Sequence, residues 1–171
     1  MRYLLVAPSL LCGLAVAASD IRRRLVPRRW IAAGVACQLI VLLVVALADT
    51  PAGTTETTAI GVAEGDASGV TGTILATVLV PACWGVAAGL LQWMLALARP
   101  GALGFGDVTA SAMCGVAVGV FGAVVFARWW LLMGLLGLAC LATWHRVARS
   151  PGMPFVPVIV LSAVLSVVLS R

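Results

Sequence analysis

Two aspartates in this sequence have the residue type and the setting to do chemistry. Six residues are acidic. Asp49, Glu56, Glu64 and Asp66 share one polar stretch, which leaves Asp20 and Asp107 alone among apolar runs. A charge at the centre of a membrane helix costs roughly 2.5–3.5 kcal/mol, and less near the interface, so such a residue marks a functional site by default. Two carboxylates brought close cannot both ionise cheaply and share a proton instead. One then acts as a base that activates water. The other acts as an acid that protonates a carbonyl or a leaving amine. That chemistry is aspartic peptide hydrolysis, and it needs no metal. The plainer alternative is two separate interfacial residues, with Asp107 capping the helix that follows it and Asp20 partnered by arginine. Asp107 closes the stretch Leu103-Gly104-Phe105-Gly106-Asp107-Val108, whose two glycines let the backbone fold tightly before the carboxylate.

The remaining reactive side chains offer less. Cys12, Cys37, Cys83, Cys114 and Cys140 each lie inside an apolar run, and no two form a C-x-x-C pair. They read as small buried packing residues, not as a disulfide framework or a zinc site. His145 is the sole histidine and stands between Trp144 and Arg146, the setting of an interfacial residue rather than a ligand. The four acids between Asp49 and Asp66 lack compact ligand spacing. No metal and no cofactor are expected.

The elements that must position the aspartates are membrane helices. The chain is 63% hydrophobic and 10% charged over 171 residues, with a mean hydropathy of +1.14. An ordinary soluble domain does not have this composition. The length suits one all-α, polytopic membrane domain over residues 1–171, a bundle of about six helices at about 20 residues each. The helices are expected at about Tyr3–Ser19, Trp30–Ala48, Thr73–Ala98, Asp107–Ala127, then to about His145, and from after Pro157 to Arg171. Arg128, Trp129 and Trp130 are expected to form the junction between the fourth and fifth. Gly85 and Gly89 are four apart, as are Gly115 and Gly119, and small residues at that spacing predict close helix packing.

Arginine supplies all the basic charge, and it sits at the ends of the apolar runs. That is the pattern of membrane topology and anionic lipid headgroups, not of a nucleic-acid surface. Arg22, Arg23, Arg24, Arg28 and Arg29 follow the first helix, Arg99 the third, and Arg146 and Arg149 the fifth. The connection after the second helix has none, and the turn after the fourth has only Arg128. The positive-inside rule then holds the richer connections in the cytoplasm, with both termini and the Asp49–Gly72 loop outside. The same asymmetry argues for a retained first helix and against a cleaved signal peptide. Asp20 and Asp107 fall on one side, the cytoplasmic one.

Three segments in this order resemble the type IV prepilin peptidases, which are membrane aspartyl proteases with a Gly-x-Gly-Asp signature. They are Asp20-Ile21-Arg22-Arg23-Arg24-Leu25-Val26-Pro27, Gly104-Phe105-Gly106-Asp107-Val108 and Met153-Pro154-Phe155-Val156-Pro157. The resemblance spans nearly the whole chain. It implies that Asp20 and Asp107 are catalytic and that Gly104, Phe105 and Gly106 form the active-site loop. It also implies that Pro27, Pro154, Phe155 and Pro157 support the site or the substrate. The implied reaction is removal of basic leader peptides from pilin-like precursors, in a prokaryotic cytoplasmic membrane and on its inner face. Thr109 stands where many relatives have lysine, Arg28 where asparagine is common, and Val156 where glycine is usual. Longer relatives carry paired C-x-x-C motifs and N-methylate the mature pilin. This sequence has no such pair, so peptidase activity without methyl transfer is expected. The alternatives are a presenilin-like intramembrane protease, a non-catalytic assembly factor of the same fold, or a small transporter.

Overall fold

The computed structural model describes residues 2–23, 27–48, 72, 74–98, 104–147 and 153–170. The expected external loop over 49–71, Arg24, Arg99 to Leu103, Arg149 and the side chain of His145 lie outside the described residues. Six α-helices follow in order: α1 Arg2–Arg23, α2 Arg28–Ala48, α3 Val80–Ala98, α4 Phe105–Gly119, α5 Ala123–Val147 and α6 Val156–Val168. Among the described residues there is no strand, and the fold is an all-α bundle. Among the described residues, four segments are long and apolar enough to cross a membrane: Leu4–Arg22, Arg28–Ala48, Leu75–Ala98 and Ala123–Trp144.

Each outer helix buries one narrow stripe. On α1 the buried residues are Val6, Ser9, Gly13, Val16, Ala17 and Asp20, while Leu4, Leu11 and Leu14 are exposed. On α2 they are Ile31, Gly34, Gln38, Leu42 and Ala46. Spacings of three and four put each set on one side of a helix. The exposed side is as apolar as the buried one, which suits lipid and not water. α4 differs, being buried on nearly every side from Val108 to Gly119. It is the central helix, and α1, α2, α3, α5 and α6 all pack on it. At about 1.5 Å per residue its 15 residues span about 22 Å, less than the ~30 Å of a bilayer core.

The structure corrects several expectations. α1 does not end near Asp20 but runs a further turn to Arg23, since nothing before Pro27 breaks it. Asp20 therefore sits within a helix. The fourth helix does not reach Ala127. It stops at Gly119, and a hairpin turn follows in which the N–H of Phe121 donates to the Val118 carbonyl and that of Gly122 to the Gly119 carbonyl. Gly122 has φ +88°, a backbone state that glycine alone adopts readily. Arg128, Trp129 and Trp130 consequently lie inside α5 and form no junction. Trp129 is fully buried and its indole N–H donates to the Ile159 carbonyl at 3.2 Å. The Arg128 guanidinium donates to the carbonyls of Leu169 at 2.9 Å and Ser166 at 2.7 Å, capping the C-terminus of α6 where a cation is favoured. α6 begins at Val156, with Pro157 inside its first turn, where a missing N–H costs nothing. The cysteines are all free, but Cys37 and Cys83 are exposed and only Cys114 is fully buried.

A π-helical turn, Leu75–Leu79, precedes α3, and the N–H of Val80 donates to the Leu75 carbonyl. Pro81 follows at once. Its ring crowds the carbonyl four residues back, and the wider turn relieves the clash.

The paired glycines meet as expected. A Cβ on Gly115 would stand 2.7 Å from the Ala88 Cβ and 3.0 Å from the Gly85 Cα, and one on Gly119 would meet the Trp84 ring at 3.0 Å. Helix backbone cannot yield as a side-chain tip can, so α3 and α4 touch through these positions. Gly134 on α5 has nothing within 4 Å. Gly115→Ala should lower stability in detergent by roughly 1–3 kcal/mol through overpacking. Gly134→Ala should be neutral or raise it by up to about 1 kcal/mol. Thermal unfolding of the two purified variants checks the contrast, and an equal effect would contradict the packing.

Candidate active site

The level of each candidate residue follows from contacts in the middle of the bundle. A Cβ at Gly13 would touch Val160 at 3.3 Å and Met113 at 3.4 Å, and one at Gly34 would touch Met113 and Cys12. Residues 12–13, 34, 113 and 160 therefore share a layer. α1 runs towards one end of the bundle, while α2, α4 and α6 start from that end. Asp20 lies seven residues beyond Gly13, about 10 Å at ~1.5 Å per residue. Arg28 and Asp107 each lie six residues before their layer residue, about 9 Å away, and Phe155 lies five before its own, about 7.5 Å. The three segments singled out in the sequence thus reach a similar level at one end of the bundle.

Contacts at that end agree. The Arg28 guanidinium stands 5.5 Å over the Phe105 ring, a cation–π contact between the first turns of α2 and α4. A Cβ on Gly137 would reach the Phe155 ring at 3.1 Å. α5 continues ten residues beyond Gly137, about 15 Å, so Phe155 is recessed below the end of the bundle. The first turn of α6 therefore lies beside this extension of α5.

Asp20 is the buried carboxylate. It is 8% exposed and continues the inward stripe of Gly13, Val16 and Ala17, so its side chain faces α4 and α6. Asp107 is half-buried in the first turn of α4. Its Oδ2 accepts the Gly104 N–H at 2.9 Å, and its own N–H donates to the Gly104 carbonyl at 3.0 Å. Gly104 is thus the N-cap residue and Asp107 stands three places on, which corrects the expectation that Asp107 is itself the cap. A carboxylate in a helix's first turn is favoured by the exposed N–H groups and the helix dipole. The two aspartates also lie close enough for the charge of Asp20 to act on Asp107.

Gly104 contributes less than expected. Gly104 has φ −85° and ψ 155°, which any residue adopts, and a Cβ there would make only ordinary contact with Asp107 Oδ2 at 3.6 Å. Phe105 is largely exposed. The Thr109 hydroxyl donates back to the carbonyls of Phe105 at 3.2 Å and Gly106 at 3.0 Å, so it belongs to the helix. The Pro27 carbonyl accepts the Trp30 N–H at 3.0 Å and starts α2. Pro154 and Pro157 are half-buried. The Phe155 carbonyl accepts the N–H groups of Val158 and Ile159, so this segment shapes the start of α6 beside the carboxylates.

Sequence reasoning passed over Ser111, which lies one turn beyond Asp107 and is fully buried. An apolar hollow of about 280 Å³ also escaped it, lined by Val86, Gly89, Leu90, Trp93, Phe105 and Val108. No polar side chain lines that hollow. Among the described residues, no three His, Cys, Asp or Glu side chains gather into a metal-binding group. Comparison with family models, with curated proteins and with solved structures gives no match.

Proposed function

We propose that this chain is a membrane aspartic endopeptidase that removes basic leader peptides from type IV pilin-like precursors. The observation that carries the proposal is the meeting of Asp20 and Asp107. These two acids are separated by most of the chain, yet they lie at one level of the bundle and within reach of each other's charge. Neither is at home in so apolar a setting unless the pair has a use.

In the proposed reaction the pair holds one proton. The ionised carboxylate takes a proton from water as the water oxygen attacks the scissile carbonyl carbon. The protonated carboxyl gives its proton to the carbonyl oxygen, forming a neutral tetrahedral diol. The acquired proton then passes to the leaving nitrogen as the C–N bond breaks, and the second carboxyl recovers a proton from the diol. One water is consumed, and one acid and one amine are formed. The burial of Asp20 and the partial burial of Asp107 favour this chemistry, because electrostatic effects are stronger away from water.

The proposed location is a prokaryotic cytoplasmic membrane with the site on the inner side. Arg22, Arg28 and Arg29 lie at the site end and are exposed. Arg128, at the opposite end, donates to the carbonyls of α6, so among the described arginine side chains the exposed ones cluster at the site end. These arginines suit anionic headgroups. In a cysteine-free background, a single cysteine at Thr55 should react with an impermeant maleimide in intact cells, and one at Arg24 should not. The reverse pattern would overturn the assigned orientation.

Asp20→Asn and Asp107→Asn should each reduce cleavage of a synthetic prepilin by at least roughly a thousandfold, with expression and membrane insertion retained. Asparagine keeps the size but can neither hold the base charge nor pass the proton. The double variant should be no worse than either single one, because members of one catalytic unit are non-additive. Ready cleavage by either purified single variant would refute the dyad.

A further inference from the structure

Among the described residues, four serines are fully buried: Ser9, Ser111, Ser162 and Ser166. A buried hydroxyl in a helix ordinarily donates to a backbone carbonyl. Ser9 does so to Gly34, Ser162 to Ile159 and Ser166 to Ala163. Ser111 alone of the four departs from this pattern, and its Oγ has no hydrogen-bond partner among the described residues. An unsatisfied hydroxyl in an apolar interior is unfavourable, and such a group calls for an explanation.

Position supplies one. Ser111 follows Asp107 by four residues on α4, so the two lie on the same side of the helix, one turn apart. Helical side chains lean towards the N-terminus, which brings the Ser111 hydroxyl over the turn that carries Asp107. One oxygen of Asp107 receives the Gly104 N–H, from the side away from Ser111. Asp20, on the inward stripe of α1, approaches at the same level. A buried water requires two to four polar partners. The two carboxyls supply two, and the buried Ser111 hydroxyl, about 6 Å deeper along α4 on the side of Asp107, is the polar group one turn inward of them.

We propose that Ser111 is a further catalytic residue, the third hydrogen-bond partner of the water held between Asp20 and Asp107. Its hydroxyl fixes the water from the interior side, so that the oxygen lone pair faces the scissile carbonyl presented from the open end of the site. Ser111 gains and loses no proton over the cycle; it restricts the orientation of the nucleophile. This role rests on the peptidase assignment made above.

The test uses the full-length protein in lipid nanodiscs and a synthetic peptide with a basic leader and an apolar helix. Ser111→Ala should lower kcat about tenfold, the worth of one hydrogen bond to a charge-assisted partner, with KM unchanged. Its thermal stability should equal or exceed that of the parent, since an unpartnered hydroxyl has been removed. Ser111→Thr, which restores a hydroxyl on the same carbon, should recover most of the lost kcat. Wild-type kcat in Ser111→Ala would overturn the proposal and leave the dyad standing. So would a loss of activity in both variants that tracks a loss of stability, which would mark Ser111 as a packing residue. Asp20→Asn serves as the reference: if it still cleaves, the dyad fails and the role of Ser111 fails with it.

Discussion

A carboxylate buried between apolar helices is the constraint on which this structure depends. Asp20 lies on the inward stripe of α1 with 8% of its surface exposed, where an isolated charge is costly. The bundle answers that cost by arrangement. The first turn of α4 brings a second carboxylate to the same level, within reach of the charge of Asp20. The first turns of α2 and α6 close around the pair with Arg28 over Phe105 and with Phe155 against Gly137. Asp20, Arg28, Asp107 and Phe155 each lie within two turns of a tightly packed middle layer, so their relative heights are set by helix contacts.

That layer in turn depends on small residues. Gly13, Gly34, Gly85 and Gly115 all occupy places where a Cβ would meet a neighbour at 3.4 Å or less. In lipid, association of helices cannot draw on a hydrophobic driving force between them, and close van der Waals contact takes over. The central α4 is therefore held on nearly every side, and Asp107 at its start inherits that rigidity. Arg128 and Trp129 perform the matching task at the far end by tying α5 to the backbone of α6.

Much of this could be read from residue types. Asp20 and Asp107 were conspicuous because charge is rare in the apolar runs, and the arginine asymmetry placed them at one end. The spacing of the glycine pairs announced the α3–α4 contact. The hairpin at Gly122 was not legible, because Val120 and Phe121 continue the apolar pattern and the only signal is one glycine among 18. Arg128 then looked like a loop charge, when its partners are helix carbonyls that no sequence pattern displays. The extra turn of α1 was hidden by the habit of ending a membrane helix at its first charged residue. Ser111 escaped notice because serine is unremarkable until its burial and its missing carbonyl partner are known. Gly104 misled in the other direction: its backbone is ordinary, and its N–H, common to all residues but proline, makes the contact with Asp107.

The juxtaposition of the two aspartates is the central claim, and cross-linking in the native membrane tests it without requiring activity. In a cysteine-free background, the pair Asp20→Cys and Asp107→Cys should be joined by a short bifunctional thiosulfonate reagent. Asp20→Cys paired with Val124→Cys, at the opposite end of the bundle, should not. Failure of the first pair to join, with both single thiols shown to react, or equal joining of the two pairs, would contradict the arrangement.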